Sequence, residues 1–173
     1  SLQQLAQIRS TAYGLTDEQI HATPSASSLS IAGLLRHCGQ VAVEWANASA
    51  SAPNCPEPVV GFESQSIEEC VADTSTAAET LAYFDTCVAK ATELMARVDD
   101  LSAGVPIPDA PWFPADLEPW EARWTLLHIT AEIARHTGHA DIIRETIDGK
   151  GSYELNERAD GQLNDDEEYQ PHV

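Results

Sequence analysis

Apolar residues recur at helical steps through most of the chain. Leu2, Leu5, Ile8 and Ala12 come at three- and four-residue intervals and predict a first helix over about residues 2–13. The stretch LTDEQIHATPSASS reads as a short helical turn and then loop, broken at Pro24. A second helix is expected from Ser28 or Ser30, either of which suits an N-cap, through Leu34, Leu35, Cys38, Val41, Val43 and Trp45 to about Ala48. Residues 49–65 read as loop, with Pro53, Pro56, Pro58 and Gly61 as breakers. A third helix opens at Ser66, with Glu69 at the spacing of a capping box. Its apolar stripe (Val71, Ala78, Leu81, Phe84, Val88, Ala91, Met95) carries it to about Val98. Residues 99–117 read as loop again, holding four prolines and the pair Trp112–Phe113. The fourth helix is expected from Leu117–Pro119, with Glu118 and Glu121 suited to its positive end, to a C-cap at Gly149.

No segment alternates convincingly with a period of two. The pattern therefore predicts an all-α chain, an antiparallel four-helix bundle whose long loops allow connections that cross it. Residues 1–149 form the expected domain. The stretch 150–173, with seven of the acidic residues and no core signal, is expected to be an extended or partly disordered acidic tail.

Composition narrows the class. Across 173 residues, 43% are hydrophobic and 21% charged, within the range of a folded domain. Nine basic residues against 28 acidic ones leave a net charge of −19. Lys90 and Lys150 are the two lysines, so no polybasic segment exists. Nucleic acid and anionic membrane surfaces both bind basic patches, so neither is an expected partner. No apolar run reaches the length of a membrane span, and no apolar leader stretch is seen near the start. The four cysteines, Cys38, Cys55, Cys70 and Cys87, are irregularly spaced and mostly within helical pattern, which fits a reduced, cytoplasmic protein.

The chemistry concentrates in WTLLHITAEIARHTGHADIIRE. At about 100° per residue, His128, Glu132, His136 and His139 fall within about 80° of one another on a helix otherwise rich in Leu and Ile. Glu132 and His136 stand four apart, so both can reach one ion. Buried charge is costly unless it is paired or bound to metal. A further ligand should come from a facing helix, and His37, in GLLRHCGQVAVEW, is the best candidate. Gly33, one turn earlier, permits close approach of backbone or ligand. Two imidazoles, one carboxylate and an open position describe a catalytic zinc site, with nickel an alternative. The competing reading makes His37 a core histidine and Glu132/His136 a solvated helix pair. His128 and His139 suit either an orienting role or the pocket mouth. Arg36 and Arg135 suit either an anionic group or the surface. Trp45, Trp120 and Trp124 suit either a pocket wall or the core. His21 and His172 fall in loop and tail.

These residues resemble a known family. QLAQIRSTAYGLTDEQIHATPSASSLSIAGLLRHCGQV at the front and PWFPADLEPWEARWTLLHITAEIARHTGHADIIRETIDG at the back are similar to the DinB superfamily, and within it to its DfsB-like group. The resemblance implies a four-helix bundle of up-down-down-up topology, commonly a homodimer. It implies a metal triad on His37, Glu132 and His136, with HTGH at residues 136–139 standing where many relatives have His-Arg-Gly-Gln. It also implies a metal-dependent enzyme that transfers a low-molecular-weight thiol, mycothiol or bacillithiol, to an electrophilic small molecule. Mycothiol-dependent isomerisation is known in the superfamily, but in relatives with a further C-terminal domain. A metal-stabilised dimeric binding module without catalysis, and a metal-dependent hydrolase or isomerase, remain the alternatives.

Overall fold

The structure is a computed structural model that describes residues 1–108 and 116–171. Its elements in order are α1 (Leu2–Ser10), α2 (Asp17–His21), α3 (Ile31–Ser51), α4 (Ile67–Ala72), α5 (Ala77–Met95), β1 (Gly104–Val105), β2 (Trp120–Glu121), α6 (Ala122–Asp148) and α7 (Ser152–Ala159). Among the described residues the structure is all-α apart from one antiparallel pairing of two-residue strands, Gly104 opposite Glu121 and Val105 opposite Trp120. No helix among the described residues is long and apolar enough to cross a membrane.

The central element is α3. Of the two serines suited to begin it, Ser30 does so: its side chain accepts from the Gly33 N–H. Residues from Ile31 to Ser49 are buried on several sides because α4, α5 and α6 all pack on α3. Two glycines make this possible. A Cβ at Gly33 would stand 2.7 Å from Val71 Cγ2 and 2.9 Å from Val71 Cα, so α4 seats directly on the α3 backbone. At Gly39 the approaching group is Cys87 of α5, 3.0 Å from an added Cβ. Leu34, Leu35, Cys38, Phe84, Ile129, Ile133 and Ile143 form the core between them.

The expected third helix is two helices. The apolar stripe runs on, but residues 73–76 leave the helix because side chains capture their backbone groups. Asp73 accepts from the Ser75 N–H and from Arg36. A second capping box then starts α5, with Thr76 and Glu79 satisfying each other's backbone N–H. The box at Ser66 and Glu69 forms as expected, and a further one, at Thr16 and Gln19, starts α2. Likewise α6 begins at Ala122 rather than near residue 118, because strand pairing holds Trp120 and Glu121 extended. Its end falls at Gly149, whose φ of 80° is the left-handed region that glycine enters without strain. Trp112–Phe113 and His172 lie outside the described residues.

The tail departs from its expected form. Residues 152–159 are helical, with Leu155 fully buried. Buried Arg158 ion-pairs with Glu154 and donates to the carbonyls of Asn164 and Glu167, folding the following acidic segment back onto α7. Leu155 is the segment's one fully buried apolar residue, and polar contacts of Asn156 with Gln7 and Ser10 and of Asp165 with Tyr13 join it to α1 and the turn after it, a pattern that leaves no periodic apolar stripe. A second buried arginine, Arg144, is forked onto Asp148 and donates to the carbonyls of Thr11 and Tyr13, joining α6 to the end of α1. All four cysteines are free; Cys38, Cys70 and Cys87 are buried and Cys55 is exposed.

Candidate metal centre

Where α3 and α6 pack together, His37 faces Glu132 and His136. Helical periodicity puts the last two on one stripe of α6, and burial of Ile129 and Ile133 beside them turns that stripe toward α3. His136 Nε2 lies 3.1 Å from Glu132 Oε1, and His37 Nε2 lies 3.9 Å from the same oxygen. The two imidazoles meet edge to face, with ring centroids 4.9 Å apart. The three side chains retain 18%, 29% and 13% exposure for His37, Glu132 and His136, largely desolvated yet reachable from outside.

The donor set fits a divalent ion. One ligand atom from each residue lies within 4.8 Å of the others. Donors held about 2.1 Å from a tetrahedral ion stand about 3.4 Å apart, a spacing that the two distances above bracket. His37 Nδ1 is buried without a hydrogen-bond partner. Burial pushes the His37 pKa below the usual histidine value, and neighbouring His136 adds to this against the pull of Glu132 and Glu44. Burial also lowers His136, outweighing Glu132, with His139 and Arg135 acting in the same direction as burial. Both rings are therefore neutral near pH 7, which leaves nitrogen lone pairs free for a ligand bond.

The other candidates separate. His139 Nδ1 is 3.5 Å from His136 Nδ1. Where Glu132 accepts from the His136 Nε2–H, His136 Nδ1 faces His139 as an acceptor; with the proton on Nδ1 instead, His139 accepts it and the Nε2 lone pair is left for an ion at the centre of the triad. His128 is not among the three. It lies parallel to Trp124 at 5.1 Å and edge-on to Trp45 at 5.1 Å. Trp120 stacks on Trp124 at 4.8 Å, and Trp45 closes on Trp120 at 5.5 Å. The three tryptophans thus form one cluster with His128, next to the triad. Arg36 is turned away: it bonds Asp73 at 2.6 Å and lies over the Tyr83 ring at 4.6 Å. Arg135 is exposed. His21 is neither in a loop nor free, since it ends α2 and its Nε2 meets the Ser75 carbonyl at 2.7 Å.

Two features escape a reading of α6 alone. Glu44, two turns after His37, is close enough to act on its charge. The spacing of four also continues through Trp124, His128, Glu132 and His136 on α6, so part of the aromatic cluster and the acidic ligand lie along neighbouring turns of one helix. That regular spacing was the available signal.

The class these features define is a mainly helical protein in which two imidazoles and a carboxylate converge between packed helices as a group that could hold a metal ion. The family model for mycothiol-S-transferase matches residues 2–149, and the chain belongs to this family, in keeping with its DinB-type motifs. No curated protein and no solved structure matches the chain.

Proposed function

We propose that this protein is a metal-dependent enzyme that joins mycothiol, or a similar low-molecular-weight thiol, through its sulfur to an electrophilic small molecule, the thiol proton being released as the sulfur–carbon bond forms. The observation that carries the reading is the convergence of His37 with Glu132 and His136 in a chain of the mycothiol-S-transferase family. In this reading α1, α3, α5 and α6 form the four-helix bundle of DinB-type up-down-down-up topology. Residues 1–149 are the catalytic domain, and 150–173 are an acidic appendage. The protein acts in the cytoplasm as a homodimer, for which exposed Leu127 and Ile142 on α6 offer apolar surface.

His37, Glu132 and His136 hold the metal, zinc in the first place and nickel as the alternative. A divalent ion at such a site lowers the pKa of a bound thiol, so that the sulfur is presented as the nucleophilic thiolate. The protein residues do the rest. Glu132 binds and is not a free base. His139 holds His136 in the ligating tautomer. The half-buried position of the triad limits water around the sulfur while keeping it reachable.

Elemental analysis of the purified protein and of its His37→Ala and His136→Ala variants tests the triad. Near-stoichiometric metal is expected in the parent and its loss in both variants; full occupancy in all three would sink the assignment. Thermal shift with mycothiol, bacillithiol and glutathione tests the thiol. Stabilisation by one of them, abolished by a chelator, is the expected outcome. A metal-stabilised module without thiol chemistry would give the chelator effect alone.

A further inference from the structure

Beside the aromatic cluster the structure encloses a cavity of about 600 Å³. Its floor is the outer half of α3, and its far wall is the connecting segment of residues 55–64. Asn47 fastens that wall by donating to the Glu57 carbonyl at 2.8 Å. Phe62 braces it by stacking on Tyr83 at 6.4 Å. The volume is that of a small-molecule pocket, and most of the lining is apolar: Val43, Trp45, Val59, Phe62 and Ile107 all contribute.

None of the three candidate ligands lines the cavity, and two of its lining residues connect it to them indirectly. Trp45 lines it and meets His128, which stands one turn before Glu132 on α6. Glu44 also lines it, and His37 feels its charge. The lining is electrically one-sided. Among its described residues are three carboxylates, Glu44, Glu57 and Glu63, and no Lys, Arg or His. All three are exposed, so they sit at the rim, and the chain around them carries a net −19. Like charge at a pocket mouth repels an anion, whereas an apolar body without negative charge meets no such barrier.

We infer that this cavity binds the acceptor of the transfer reaction, and that the acceptor is an apolar molecule without negative charge, neutral or cationic. This rests on the thiol-transfer reading for the word acceptor, but not for the pocket or its selectivity. It turns away carboxylate substrates of the kind that a basic pocket would hold.

Cys55 supplies a local reporter. It lines the cavity and is exposed, while the other three cysteines are buried. The metal-loaded protein is treated with iodoacetamide, and alkylation of Cys55 is followed by mass spectrometry. The probes are 4-phenylbutylamine, 4-phenylbutanol and 4-phenylbutyrate, which share one apolar body and differ in charge. The amine and the alcohol are expected to protect Cys55 at concentrations about tenfold lower than the carboxylate. Ser64→Trp, which fills the mouth from an exposed position, is expected to remove protection by all three. Glu44→Gln with Glu57→Gln, both exposed, is expected to narrow the gap between amine and carboxylate. Protection by the carboxylate at the same concentration as by the amine overturns the inference. So does an absence of protection by all three probes, or protection that survives Ser64→Trp. A carboxylate that only coordinates the metal leaves Cys55 open and does not mimic protection. The assay contains no thiol cosubstrate and reads no turnover. Protection without thiol transfer therefore defeats only the transfer reading, and transfer without protection defeats only the pocket.

Discussion

Single side chains in this protein are set by who shares their nitrogen or oxygen. His136 spends one ring nitrogen toward Glu132 and the other toward His139. Removing His139 leaves the ligand atoms in place but lets the His136 ring rotate and change tautomer. Losing such a supporting partner usually costs about 10–100-fold in metal affinity. His139→Ala should therefore keep the metal stoichiometry while weakening binding within that range in a competition titration against a chromophoric chelator. Unchanged affinity would make His139 a bystander. At this scale the α6 stripe was legible in the sequence, because a spacing of four maps directly onto one helix face. Arg36 was not. Its charge is taken by Asp73 and its plane by Tyr83, and both partners are brought to it by packing.

At the scale of elements, backbone capture decides where helices begin and end. Thr76 and Glu79 carry the same box as Ser66 and Glu69, yet the continuous apolar stripe of residues 71–95 masks the break between them. Period alone cannot see that Asp73 takes the Ser75 N–H out of the helical ladder. The seat of α4 on α3 depends on Gly33. An added methyl would overlap Val71 backbone, which cannot swing aside as the end of a side chain can. Gly33→Ala is expected to cost about 1–3 kcal/mol, read by chemical denaturation, although alanine favours the helix. A neutral or stabilising outcome would show that α4 shifts freely. The glycine was legible as permitting a close approach; that the neighbour is α4 rather than a ligand came from the packing.

Across the whole molecule, two carboxylates tied to arginines contribute to the acid response. Burial works against ionisation of Asp73, but hydrogen bonds from Ser75 and Arg36 together with the Arg36 charge outweigh it and hold the group below its ordinary 3.8. Burial likewise opposes ionisation of Asp148. The Arg144 side chain, the Lys150 N–H and the charges of Arg144 and Lys150 overcome it. A depressed folded value means that the stabilisation is complete above the unfolded value of about 3.8 and is lost as pH falls through the folded one. Asp73→Asn should therefore unfold more easily than the parent at pH 7, with the two curves converging below pH 3.8 in denaturant titrations at stepped pH. A gap that stays constant down to acid would rule out this linkage. The net charge of −19 excluded classes of partner early, and in the folded molecule part of it lines the mouth of one cavity.

By itself, the sequence determined the helical class, the starts of α1, α3 and α4 and the stripe of Glu132 and His136, since each depends on residues within a few positions of one another. Tertiary structure decided what needs distant segments to meet. It brought His37 across from α3 and tied Asp73, at the break in the expected third helix, to an arginine 37 positions away. It gathered Trp45 with Trp120 and Trp124, and it folded the tail into α7 by burying Leu155. Local rules act through hydrogen bonds and periodicity along one element. Burial and charge pairing act through space, where separation along the chain carries no information.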